Sequence, residues 1–180
     1  DADTVNIELA LADLSTVQKM KVNLSKKIRA GDKEAKKLED LLQQLETSLA
    51  QGKPAREVIV DEEILPLKKN INLLTDKPVL YVANVSESQI VEPDKTLSGF
   101  IDKYRDVLPL SVKIEQELNE LGEEERQTYL KEYGLTQTGL NRLIQACYQL
   151  LNLITFFARG PMESRAWTVK KGSYAPVAAG

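Results

Sequence analysis

The stretch Pro78-Val79-Leu80-Tyr81-Val82-Ala83-Asn84-Val85-Ser86-Glu87 decides the fold class. It is a short, nearly continuous apolar run that ends abruptly on polar residues. Apolar character that does not alternate is the mark of a buried parallel strand, covered on both faces. A second run, Val107-Leu108-Pro109-Leu110, has the same character, and the residues from roughly Lys95 to Arg105 between them predict a helix. Strand, helix, strand is the α/β arrangement. In open α/β sheets, ligands sit outside the carboxyl ends of the strands. The residues that follow each run are therefore the first candidates for a site.

Toward the N-terminus the pattern becomes helical. Residues 4 to 30 predict one long helix with a heptad seam: Ile7, Leu14 and Ile28 in one series, Ala10, Val17 and Leu24 in the other, interrupted by Lys21. Gly31 suits a helix C-cap and Asp32 the next N-cap. A second helix reaches about Gln51, with the stripe Ala35, Leu38, Leu42, Leu45 and Leu49. Two such stripes joined by a short turn predict an antiparallel hairpin. Gly52-Lys53-Pro54 ends it. Asp61 is the expected cap of a third helix bearing Ile64, Leu67, Ile71 and Leu74, with Pro66 in its opening turns. Toward the C-terminus, Glu123 to Tyr133 predicts a charged helix and Gly139 to Phe157 an apolar one. Glu163 to Lys170 predicts a strand, and Gly172 a turn.

The chain has 180 residues, 42% of them hydrophobic and 28% charged, which is a globular composition. It has no histidine, so the commonest general base and the commonest zinc ligand are both missing. A single cysteine, Cys147, excludes an internal disulfide and a multi-cysteine metal site, and points to a reducing compartment such as the cytoplasm. The longest apolar run falls short of a membrane span, so no membrane partner is expected. Asp1 at the start and Ala178-Ala179-Gly180 at the end both read as cuts. Charge is uneven: Lys19, Lys21, Lys26, Lys27, Arg29, Lys33, Lys36 and Lys37, set against Asp32 and Glu34, give this window +6 of a total of −3. The cluster falls around the hairpin tip, where Lys26, Lys27, Arg29 and Lys33 are candidates for contact with RNA phosphates. A solvated helix face is the plainer account of the same residues.

Two segments carry candidate chemistry. After the first strand, Asn84 has an amide that both donates and accepts toward a purine edge, and Glu87 has a carboxylate that only accepts. GTPases carry Asn-Lys-x-Asp at such a place. Here Val85 replaces Lys and Glu87 replaces Asp, and the extra methylene spoils a two-pronged fit to guanine. A strand-end turn with a capping Asn explains these residues as well. After the second strand, Ser111-Val112-Lys113 is placed like the loop that presents backbone N–H groups to the base in guanine-binding folds. Ser111 alone also suits a helix N-cap.

The segment Leu80-Tyr81-Val82-Ala83-Asn84-Val85-Ser86-Glu87 resembles the altered fourth nucleotide motif of the Obg-like ATPases of the YchF family. The opening Asn6-Ile7-Glu8-Leu9-Ala10-Leu11-Ala12-Asp13-Leu14 is similar to the helix that follows their switch regions. Further similarity lies in Gly139-Leu140-Asn141-Arg142-Leu143-Ile144, in Arg165-Ala166-Trp167-Thr168-Val169, and in Lys171-Gly172-Ser173-Tyr174-Ala175-Pro176. The likeness covers nearly the whole chain in order.

It implies an α/β fold with a large helical part: an antiparallel coiled-coil hairpin inserted in the C-terminal part of a Ras-like P-loop NTPase domain, then the start of a TGS domain. The implied parts are an arm at 1–75, the C-terminal part of the nucleotide domain at 76–160, and the TGS start at 161–180. The resemblance also implies ATP as the preferred nucleotide, with Mg2+, a cytoplasmic location and the ribosome as partner. Asn84 is then expected to contact adenine, the Val85 backbone its exocyclic amine, and Ser111 and Val112 to lie below the base. The Gly-x-x-x-x-Gly-Lys-Ser/Thr loop that cradles phosphates is absent from these 180 residues. Hydrolysis is thus expected of the full-length family member and not of this chain alone. A non-catalytic RNA- or ribosome-binding helical module is the alternative reading.

Overall fold

The computed structural model describes residues 2–28, 33–91, 93–104, 107–160 and 163–179, with side chains at all of these except 25–28, 33, 93–96 and 178–179. The fold is α/β and mostly helical. It divides into two compact units, Asp1–Pro78 and Val79–Gly180.

In the first unit, α1 (Ala2–Ile28) and α2 (Lys33–Ala50) pack along one another. Gln18 donates to Glu46 at 3.4 Å and Lys21 to Gln43 at 2.6 Å, so rising numbers on α1 meet falling numbers on α2 and the helices run antiparallel. Ala10, Val17 and Leu24 are buried against Ala35, Leu42, Leu45 and Leu49, as the heptads predict. The other predicted series holds only in part: Leu14 packs against this core, Ile7 does not, and the Ile28 side chain lies outside the described residues. Ile7 is 53% exposed and Leu14 is half-buried, whereas Asp13, only 2% exposed, joins the buried row. Steps of three and four from Ala10 through Asp13 to Val17 keep one helical face inward, and that face tolerates a carboxylate because its hydrogen bonds are made. Asp13 Oδ1 accepts the Leu74 N–H at 2.9 Å. Its Oδ2 accepts both the N–H and the hydroxyl of Thr75, each at 2.7 Å. The Thr75 hydroxyl in turn accepts the Ala55 N–H at 2.9 Å.

The third helix, α3, is shorter than predicted, Leu65–Ile71, with Pro66 in its first turn where a missing N–H costs nothing. Asp61 does not cap it. The Asp61 carbonyl instead accepts from Ile64 and Leu65 in the turn before the helix. Asn72, at φ 56°, ends α3, so Leu74 falls in a separate 3-10 turn and is exposed. Lys68 is buried and satisfied by Asp76 at 2.8 Å and by the Val58 carbonyl at 2.9 Å.

In the second unit, β1 (Tyr81–Asn84) and β2 (Val107–Leu110) pair in parallel, with Asn84 opposite Leu110. The connection holds α4 (Glu87–Val91) and α5 (Pro93–Lys103). The strands are where the sequence puts them, but β1 is not buried: Val82 is 45% exposed and Asn84 lies open. Among the described residues the sheet has these two strands alone, so each has one neighbour and part of its surface stays uncovered. After β2 come α6 (Val112–Glu120), α7 (Glu123–Glu132) and α8 (Gly139–Leu150). Ile90, Ile114, Leu118 and Leu130 form the core with Val85.

The helix predicted through Phe157 stops at Leu150. Asn152, at φ 53°, turns the chain, and Leu153–Arg159 forms β3 because Ile154, Thr155, Phe156 and Phe157 favour extended backbone. β3 pairs antiparallel with β4 (Ser164–Lys170), Phe156 opposite Trp167, and α9 (Ala175–Ala179) follows.

Candidate functional site

The carboxyl ends of β1 and β2 bring the two sequence segments together. The Val85 N–H donates to the Leu110 carbonyl at 2.9 Å, extending the strand pairing by one bond. One residue earlier, Asn84 Oδ1 accepts the Val112 N–H at 3.3 Å. Val112 is the first residue of α6, so Asn84 reaches across from the neighbouring strand to satisfy a free N–H at that helix start. Ser111 holds the N-cap position but makes no capping bond. It is 4% exposed, and its hydroxyl is buried without a hydrogen-bond partner among the described residues. The capping role open to either residue in the sequence thus belongs to Asn84, acting on another helix. With Oδ1 fixed as the acceptor, the Asn84 amide nitrogen is left to donate.

Glu87 has a different setting. It opens α4, and its Oε1 lies 2.5 Å from Lys113 Nζ while its Oε2 accepts the Tyr133 hydroxyl at 3.2 Å. Hydrogen bonds from Lys113 first, and from Tyr133 second, hold the Glu87 carboxyl below the usual glutamate range, and Lys113 is raised in return. Lys113 also faces Glu117 at 3.9 Å. Glu117 accepts from Tyr129, whose phenol is pushed far above its ordinary range, and the Tyr129 and Tyr133 rings meet at 5.1 Å. Behind the loop, Glu115 Oε1 accepts the Gly139 N–H at 2.6 Å and Oε2 the Leu140 N–H at 3.0 Å, tying α6 to the start of α8.

Arg29 lies outside the described residues, as do the side chains of Lys26, Lys27 and Lys33. Two other members of the basic window are paired across the unit: Lys21 with Glu46, and Lys37 with Glu63. Acidic residues distant in sequence therefore offset part of a charge that Asp32 and Glu34 alone seemed to oppose. No group of three metal-ligating side chains occurs among the described residues, and no described helix is long and apolar enough to cross a membrane.

No family model matches the chain. Over its whole length it is 42% identical to the ribosome-binding ATPase YchF of Bacillus subtilis, of which it covers 51%. Over 99% of its length it is 40% identical to the protein of that name from Haemophilus influenzae, covering 50% of it. The chain belongs to the YchF family. Among solved structures it is similar to the Schizosaccharomyces pombe YchF GTPase, with a TM-score of 0.85 at 27% identity, over all of this chain and 51% of that one. The chain spans about half the length of the YchF relatives it matches. Two partners of Glu87 had no role of their own in the sequence reading. Lys113 had a signal, since it directly follows Ser111-Val112. Tyr133 had none, because nothing local joins it to Glu87, 46 positions earlier.

Proposed function

We propose that this chain supplies the base-reading loops and a helical arm of a ribosome-associated P-loop ATPase that prefers ATP to GTP. The bond from Val112 N–H to Asn84 Oδ1 carries the reading. It leaves the Asn84 amide nitrogen to donate, and the purine N7 is an acceptor. Val85, its N–H held by Leu110, offers its carbonyl to the exocyclic amine of adenine. Ser111 and Val112 form the floor below the base. The relatives named ribosome-binding ATPase support both the nucleotide and the ribosome.

In this reading α1 and α2 form a coiled-coil arm within a Ras-like domain, and residues 161–180, with β4 among them, begin a TGS domain. The protein acts in the cytoplasm. The loop that cradles the phosphates is missing from the 180 residues. This chain's part is to bind and orient the base, and alone it does not hydrolyse ATP.

A paired experiment tests both halves of the proposal in the full-length protein. Asn84→Ala is expected to weaken ATP binding by about tenfold, the worth of a lost hydrogen bond in a formed site. Ribosome co-sedimentation of the parent is expected to weaken steeply as salt rises, and replacing Lys26, Lys27 and Arg29 by Glu is expected to abolish it and to spare ATP affinity. Unchanged ATP binding in Asn84→Ala refutes the base site, and salt-independent ribosome binding refutes the basic arm.

A further inference from the structure

We infer that Lys113 and Tyr133 are specificity-determining residues that lock Glu87 away from the base and so exclude guanine. The inference rests on the base site proposed above and goes beyond it, because neither residue needs to touch the nucleotide.

Guanine presents two adjacent donors, N1–H and the N2 amine, so a carboxylate that reads it must offer both of its oxygens. Adenine presents an acceptor and one donor on the corresponding edge and makes no such demand. Both oxygens of Glu87 are already engaged, Oε1 by Lys113 at 2.5 Å and Oε2 by Tyr133 at 3.2 Å. The two partners come from different places, Lys113 in α6 and Tyr133 just after α7, so the carboxylate is held from two directions. Lys113 stands two residues after Ser111, in the first turn of α6. Glu117 adds a second negative charge to its surroundings at 3.9 Å, and the Tyr133 ring rests on Tyr129. The lowered proton affinity of Glu87 fits a carboxylate already stabilised by donors. To read guanine, Glu87 must give up a charged partner and a neutral one. The longer side chain at this position therefore has a second effect: it reaches these partners.

The test compares the dissociation constants of ATP and GTP in the full-length protein. Lys113→Met keeps the aliphatic stem and removes the charge; Lys113→Met with Tyr133→Phe frees both oxygens. The ratio of GTP to ATP affinity is expected to rise by about tenfold in the double variant, in keeping with a charge-assisted hydrogen bond. Lys113→Arg is expected to stay near the parent ratio, and adding Glu87→Ala to the double variant is expected to abolish the gain. Both constants come from one sample, so a loss of folded protein leaves their ratio untouched. An unchanged ratio in the double variant, with Asn84→Ala still impairing ATP binding, overturns the lock alone. Unimpaired ATP binding in Asn84→Ala overturns the base site, and the lock with it.

Discussion

In the α1–α2 pair, Val17, Leu42 and Leu45 have no exposed surface, whereas in β1 Val82 keeps 45% of its own. The two regions differ in how a backbone is satisfied. A helix completes its hydrogen bonds internally, so two amphipathic helices close a core with their own side chains. A strand needs neighbours at its edges and cover on its faces, and β1 has one neighbour among the described residues. The first unit therefore closes the larger apolar core among the described residues, with the bonds of Asp13 and Lys68 made inside it. The second has a smaller core, and partly exposed polar ties also join its elements, such as Glu115 to Gly139 and Glu87 to Lys113.

The largest effect expected from this contrast is that of Leu45→Ala. It empties a fully buried site between α1 and α2 and should cost about 3 kcal/mol in urea unfolding. A cost near zero would mean that the helical pair does not close its own core. Next comes Gly139→Ala in the second unit. A Cβ there would lie 2.9 Å from Glu115 Oε1 and 3.1 Å from Leu110, so the tie between α6 and α8 must shift. A loss of about 1–2 kcal/mol is expected from such overpacking, read as an earlier melting step followed on Trp167 fluorescence. A neutral result would show that the polar tie yields freely.

The smallest effect concerns pH. Glu87 is held below the ordinary glutamate range by Lys113 and Tyr133, so its contribution is complete above that range and fades as pH falls through the lowered value. Lys113 is raised, so its share is lost only when pH climbs through its elevated value, above the ordinary lysine range. The stability difference between the parent and Lys113→Met should be present at neutral pH and vanish in acid. A difference that persists in acid would show that the contact acts by packing and not by charge.

Legibility in the sequence followed the range of the interaction. Ala35, Leu42, Leu45 and Leu49 were readable because helix geometry repeats every few residues, and the two parallel strands because their apolar runs stop sharply. Asp13 carried no local signal of burial, since its partners lie 61 and 62 positions away. Ile7 fits a heptad yet lies open, because a seam is defined by what faces it. The β3 strand was hidden by an amphipathic helix running into more apolar residues. Only Asn152, in the left-handed region, marked the boundary. That Asn84-Val85 and Ser111-Val112 come together was legible from their places after two strands. The partners of Glu87 depend on how α6 and α7 pack, which no local pattern encodes.

The carboxylate of Asp13 fixes one point on α1 to the residues that return after α2, and every turn beyond that point is independent of it. The root of the helical pair and its reach are therefore separate variables. Taking seven residues from each helix on the far side of Asp13 would shorten the projection by about 10 Å, keep the same facing residues in step, and leave the anchorage unchanged. The length of the pair is thus free to change while its fixed point stays where it is.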